Sequence, residues 1–242
     1  MNYHFLDSNI FLSIATKDSA KDIWEKYFKS NSIKVTSENV KKESNNVLSK
    51  LEKISFEVIG CIRKFILVNK IPDEKIASSL YIVKRKFLNK YSFEDYPFGF
   101  NRKKFLKIVN RLFSYYNDIL KYSISSSFEI WINEEFLTLK SDYKNYYSAL
   151  NFLFKKVDLY HYSINLGDAQ IIGFLNDIGI HSPDAEILLD AFKTSDKLDN
   201  VIYFITRDNG IINNSTGIFS IFNGEVIPKK PEEFLNNWYC MP

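Results

Sequence analysis

The chain predicts an α/β fold built on a central, mostly parallel sheet and interrupted by a mostly helical insertion. Three observations carry this expectation. Short apolar runs rich in β-branched and aromatic residues alternate with helical patterns at both ends of the chain, the arrangement that produces an open parallel sheet. Residues 45–160 instead repeat apolar side chains at helical spacing. Gly (8) and Pro (6) are sparse among 242 residues, so few breakers interrupt long helices.

Taken in order, Tyr3–Leu6 reads as a buried strand that ends at Asp7. Ser19 can cap a helix whose apolar face is Ile23, Trp24, Tyr27 and Phe28. Ile33–Thr36 reads as a second strand, and Ser37 as the cap of a helix that begins near Glu38 and carries Glu43. In the insertion, one helical pattern runs from Val47 to Ile66 and Pro72-Asp73 breaks it. Further helices are expected around Ile76–Leu88, Phe105–Tyr116 and Tyr143–Val157, with a weaker pattern over Phe128–Leu137 and a loop at Ser92–Asn101. Gly167–Ile178 then reads as a helix stopped by Gly179. Ser182 and Pro183 suit the cap and first position of the next helix. Val201–Ile205 is a buried strand ending in Thr206-Arg207-Asp208; Ile218–Ile227 reads as a hairpin turning at Asn223-Gly224, and Pro231–Trp238 as a closing helix.

Composition narrows the classes. A 45% hydrophobic and 16% aromatic content is ample for a packed core and argues against disorder. Cys61 and Cys240 lie far apart and form neither a disulfide framework nor a zinc motif, so a reducing cytoplasm is expected. The apolar start lacks the basic flank of a signal peptide. No apolar stretch reaches the roughly 20 residues of a membrane helix, so no membrane partner is expected.

The acids carry the functional expectation. Asp7 and Asp208 each follow a strand; Glu43 lies on the helix after the second strand, and Asp184 in the first turn of the helix after Pro183. Strand carboxyl ends and helix starts share one edge of an open parallel sheet, where ligands bind. Four acids from four distant segments are therefore expected to converge. Such a cluster is hard to keep ionised without a cation, and Mg²⁺ or Mn²⁺ prefers oxygen ligands. Each acid also has a plainer reading: Asp7 as a loop start, Asp184 as a partner of the helix dipole, Asp208 as a turn residue, and Glu43 or the nearby Glu38 as a capping acid. Asp190, six positions beyond Asp184, reads as a solvated-face acid, and His4, His161 and His181 carry no assignment.

These residues resemble a family. Phe5-Leu6-Asp7-Ser8-Asn9 is similar to the opening of PIN-domain nucleases, and Thr36–Glu43 is similar to their second segment, with Glu43 in the acidic slot. Pro183-Asp184-Ala185 resembles the third segment, and Phe204–Asp208, a strand ending in Thr-x-Asp, the fourth. The resemblance covers residues 1–44 and 161–240. It implies a PIN-like three-layer α/β/α sandwich and Mg²⁺- or Mn²⁺-dependent cleavage of single strands, most often RNA, with Asp7, Glu43, Asp184 and Asp208 as metal ligands and Asn9 and Thr206 in contact either with those ligands or with waters on the metal. Asp168-Ala169 is a competing Asp-Ala helix start, and Asp168 is either an extra ligand or a cap. The expected domains are a nuclease domain of residues 1–44 and 161–242 and a helical insertion of residues 45–160.

Charge is unevenly placed. Residues 41–160 carry 22 Lys/Arg against 13 Asp/Glu, and the rest carries 10 against 16. The clusters Lys84-Arg85-Lys86 and Arg102-Lys103-Lys104 flank a segment holding Tyr91, Phe93, Tyr96, Phe98 and Phe100. Cations interleaved with rings suit a single-stranded nucleic acid; packing in a helical bundle is the competing reading for the rings and wins for Phe105, Phe113 and Phe154. The insertion suits equally a homodimer surface or the dock of an antitoxin-like partner protein. The leading expectation is an endoribonuclease, compatible with a toxin of a toxin–antitoxin pair, an RNA-processing enzyme or a host-defence effector. A DNA or flap-type nuclease and a non-catalytic nucleic-acid-binding or scaffold module are the alternatives.

Overall fold

The computed structural model describes residues 2–16, 26–91, 102–122 and 127–235. The expected Ser19 cap with Ile23 and Trp24, the aromatic residues Phe93, Tyr96, Phe98 and Phe100, and Cys240 lie outside them. The described chain is an α/β fold with a five-stranded, all-parallel sheet. In chain order its elements are β1 (Tyr3–Leu6), α1 (Ser8–Ala15), β2 (Ile33–Ser37) and α2 (Glu38–Val68). A short 3₁₀ turn at Asp73–Lys75 leads into α3 (Ile76–Asn89), α4 (Arg102–Tyr122) and α5 (Phe128–Phe154). Then come β3 (Asp158–Tyr160), α6 (Leu166–Asp177), α7 (Asp184–Leu198) and β4 (Ile202–Ile205). The chain continues with α8 (Asn209–Asn213), α9 (Ser215–Ile221), β5 (Val226–Lys229) and α10 (Glu232–Leu235).

The strands lie in the order β3-β2-β1-β4-β5. Phe5 is level with Val35 on β2 and Phe204 on β4, and all three are fully buried. Their rows fix the register, because a one-residue slip would turn each to the opposite face. Phe5 and Phe204 stack at 5.7 Å between centroids. Pro228 sits in β5, an edge strand, where a missing N–H costs no ladder bond. The helix α7 packs on β2, β4 and β5, and its buried Ala185, Ile187, Leu188, Leu189 and Ala191 explain why.

Two compact units divide the chain, one of residues 1–47 and 145–242 and one of residues 48–144. The sheet lies in the first. The second is helical, with Val58, Ile62, Ile66, Leu80, Val83, Phe87, Phe105, Val109 and Phe113 buried. Phe87 packs with Phe105 and Phe113, and the Ser55 and Tyr143 hydroxyls hydrogen-bond at 2.9 Å. Tyr91 donates its hydroxyl to Glu57 and packs edge-on to Phe87 and Phe105, so it is part of this packing.

Several details differ from the sequence expectation. Asp158–Tyr160, read as part of the insertion, is the strand β3 beside β2; three residues are too few for a periodicity signal. Phe128–Phe154 is one helix. The expected hairpin at Ile218–Ile227 is a helix, α9, followed by a parallel strand. Asn223 and Gly224 take positive φ values of 50° and 83°, and the Gly224 N–H donates to the Phe219 carbonyl at 2.8 Å. A hairpin turn and a helix C-terminus both need left-handed residues, so Asn-Gly cannot separate them. Pro183, which has no side-chain cap bond, takes the cap position of α7 in place of Ser182. By contrast Ser37 accepts from the Val40 N–H at 3.3 Å, and Gly179 ends α6 with φ +84°.

Gly224 gives a stability test. A Cβ there would stand 3.0 Å from the Phe219 ring, on a backbone that L-residues disfavour. Gly224→Ala is expected to cost about 1–2 kcal/mol, read as a lower midpoint in thermal or urea unfolding.

Candidate active site at the carboxyl edge of the sheet

The parallel register places the ends of β1, β2 and β4 side by side. Leu6 is level with Ile205, the Asp7 N–H donates to the Ile205 carbonyl at 3.1 Å, and the Thr36 hydroxyl donates to the Leu6 carbonyl at 2.9 Å. Asp7 is therefore carried past the end of β1 into a buried position, 3% exposed. Its Oδ1 accepts from the Ser8 N–H at 2.6 Å, where Asp7 caps α1. Its Oδ2 accepts from Asn9 Nδ2 at 2.6 Å and from the Thr206 hydroxyl at 2.7 Å. Asn9 Nδ2 also reaches Thr206 Oγ1 at 2.9 Å. Asn9 and Thr206 thus clasp Asp7 between β1 and β4.

Burial pushes the Asp7 carboxyl up from 3.8 to about 7. The Thr206 and Ser8 hydrogen bonds work against that rise, while the charges of Glu43 and Asp184 add to it. Two of the expected acids, Glu43 on α2 and Asp184 opening α7, therefore act on a third, Asp7 after β1. Glu43 Oε2 is buried without a hydrogen-bond partner. Glu38, its competitor, pairs with Lys41 at 3.3 Å.

Asp208 is placed differently. It is exposed, and its Oδ1 accepts from the Gly210 N–H at 2.6 Å as the cap of α8. Its own N–H donates to Thr206 Oγ1 at 3.0 Å, which joins it to the Asp7 network through Thr206. Asp168 is a structural cap: it exchanges hydrogen bonds with Asn165 at 2.6 and 3.1 Å in a capping box. Burial alone would raise its pKa, but Lys193, 2.5 Å away, and the Asn165 N–H outweigh this and lower it.

Asp190 corrects the sequence reading. It is 3% exposed and accepts from Asn39 Nδ2 at 3.1 Å. Burial raises its pKa, and hydrogen bonds from Ser37 and Asn39 oppose the rise. The clip joins α7, which opens at Asp184, to the start of α2, which carries Glu43. Asn39 and Glu43 are four residues apart and share one helix face. The signal was present in sequence: Ile187, Asp190, Ala191 and Thr194 recur at helical spacing on the buried side of α7.

The donor set is all oxygen, which suits a hard divalent cation. An ion at Glu43 Oε2 would satisfy a shielded carboxylate oxygen that otherwise bears an uncompensated desolvation cost. No group of three or more His, Cys, Asp and Glu side chains among the described residues is arranged to hold a metal ion. The carboxylates thus act through space without forming a closed ligand shell. Mg²⁺ keeps several waters and binds through one or two carboxylates, so the acid chemistry fits such an ion without that shell. Among the described residues, no helix is long and apolar enough to cross a membrane.

Two measurements follow from these environments. Because the folded-state value for Asp7 lies above its ordinary 3.8, its contribution to stability is full below that value and is lost as pH rises through about 7. In EDTA, Asp7→Asn should therefore gain in melting temperature relative to wild type as pH rises across that window; a constant difference would show that Asp7 is not so perturbed. Asp190→Ala strands the Asn39 and Ser37 donors and is expected to cost about 1–3 kcal/mol in denaturant unfolding, more than Asp190→Asn. No protein-family model matches the chain, and no curated protein or solved structure does either.

Proposed function

We propose that the chain is a metal-dependent endonuclease that hydrolyses phosphodiester bonds of single-stranded RNA at this sheet edge. The observation that carries the reading is the action of the Glu43 and Asp184 charges, from two distant segments of chain, on the buried Asp7 carboxylate. Asp7 meets three hydrogen-bond donors and the charges of two further carboxylates, and a divalent cation is the chemistry that makes such a grouping favourable. The resemblance to PIN-domain nucleases, with its α/β/α sandwich, points the same way.

In this reading Asp7, Glu43 and Asp184 hold Mg²⁺ or Mn²⁺, and Asp208 joins from the end of β4. A bound ion would lower the pKa of a ligated water and neutralise phosphate charge. The chain's own part is orientation. Thr206 and Asn9 fix the Asp7 carboxylate by hydrogen bonds at 2.7 and 2.6 Å, and the Asp190–Asn39 contact ties together the two helices that bear Glu43 and Asp184. The exposed position of Asp208 and its use as a cap favour a second reading, a non-catalytic nucleic-acid-binding or scaffold module.

Cleavage of end-labelled single-stranded RNA and DNA with Mg²⁺ or Mn²⁺ separates the two. Wild type should cut RNA in a metal-dependent way. Asp7→Asn and Glu43→Gln should lower the rate by about 10²-fold or more, and Thr206→Val by about 10–100-fold through weaker metal affinity. Preferred cutting of DNA would move the reading to a DNA or flap-type nuclease. No cutting of either polymer by wild type, or cutting that both carboxylate variants retain, would sink the nuclease and leave the binding module.

A further inference from the structure

The helical unit of residues 48–144 carries a second site. Its helices α3 and α4 pack together, and between them lies a groove of about 410 Å³ lined by Ser78, Tyr81, Lys84, Asn110, Ser114 and Asn117 among others. That size lies within the range of about 300–1,000 Å³ that takes a small organic group. Tyr81 is 74% exposed at its wall. A large ring left in water at the side of a groove is a surface suited to stacking.

Charge marks the same helices. Together α3 and α4 hold nine Lys/Arg and one acid, Asp118. Arg85, Lys86, Arg102, Lys103, Lys104, Lys107 and Arg111 are exposed. On α4, Lys103, Lys107, Asn110, Ser114 and Asn117 recur in steps of three and four, one face of a helix. The groove-lining amides and hydroxyl thus continue directly into a cationic row. On α3, Lys84 lies one turn beyond Tyr81 and lines the groove with it.

We propose that this groove binds single-stranded nucleic acid, with a base stacked on Tyr81 and the backbone phosphates held by Lys84, Lys103 and Lys107. Each component of the site matches one component of that ligand. The ring offers a π-face to a base, the neutral Asn and Ser side chains offer donors and acceptors to its edge, and the lysines meet the polyanion. An acidic peptide would satisfy the lysines but bring no ring for Tyr81. A duplex would satisfy the lysines but keep its bases stacked on each other. The site is built from residues outside the carboxylate edge, so it stands or falls separately from the proposed cleavage.

The test is fluorescence anisotropy of the full-length chain in EDTA with fluorescein-labelled oligo(U) and oligo(dT), over about 50–200 mM salt. Tyr81→Ala should weaken binding about tenfold, and Tyr81→Phe should restore it. Lys84→Gln combined with Lys107→Gln should flatten the slope of log affinity against log salt by about 1.4, at about 0.7 per single-strand phosphate contact. Circular dichroism should show all variants folded, since Tyr81 and Lys84 line an open groove and Lys107 is exposed. Equal affinity of Tyr81→Ala and wild type, equal affinity for a duplex of the same length, or displacement by polyglutamate as effective as by unlabelled oligo(U) would each overturn the proposal. Binding here together with no cleavage when Mg²⁺ or Mn²⁺ is supplied would leave the groove standing and sink the nuclease reading; metal-dependent cleavage with binding indifferent to Tyr81 and the lysines would do the reverse.

Discussion

The burial of the Asp7 carboxylate at the end of β1 is the constraint around which the edge of the sheet is organised. A carboxylate withdrawn from water must be compensated or protonated. Three hydrogen bonds from Ser8, Asn9 and Thr206 supply part of that compensation. Each also ties Asp7 to a structural element: Ser8 and Asn9 to the start of α1, Thr206 to the end of β4. The parallel pairing of β1 with β4 is what brings Thr206 within reach. Glu43 and Asp184 then add charge of the same sign to a group already disfavoured in its ionised form. An edge built this way sacrifices stability for a concentration of negative charge, and perturbed carboxyls of this kind cluster at functional sites.

Asp168 and Asp184 show how much context decides. Both are Asp-Ala pairs in the first turn of a helix, and the helix dipole favours both. Asp168 meets Lys193 at 2.5 Å and the Asn165 backbone, so its charge is neutralised and its task is to hold the start of α6. Asp184 acts on Asp7, and its charge is part of the acidic grouping. Asp190 is a third case, a buried acid held by the neutral donors of Asn39 and Ser37. Its hydrogen bonds fix α7 against the start of α2.

The uneven charge of the sequence becomes more specific in the structure. The excess of cations in the middle of the chain is concentrated on α3 and α4, whereas α5 carries four acids and two lysines. A solvated Lys-rich surface has no need of such segregation. The exposed ring of Tyr81 and the row of amides beside it add chemistry that charge alone does not have. The cluster Lys84-Arg85-Lys86 is also divided by its helix: Lys84 lines the groove, and Lys86 lies over the Phe65 ring at 4.7 Å.

The sequence by itself determined those elements whose signals are local. Strands β1 and β4 were legible as apolar runs, because both faces of a parallel sheet are buried, and β2 as a short segment with the β-branched residues Ile33, Val35 and Thr36. The Ser37 cap and the Gly179 stop followed from backbone chemistry confined to a few residues. The end-of-strand positions of Asp7 and Asp208 were legible for the same reason. Only the tertiary structure decided what depends on partners distant in sequence. The strand β3 exists because β2 offers it an edge, and Asn223-Gly224 ends a helix because β5 runs parallel to β4. Asp190 is buried because Asn39 and Ser37 meet it across 151 and 153 positions of chain. Which acids share a field was likewise set by packing: electrostatic action falls with distance in space, and one sequence does not contain those distances.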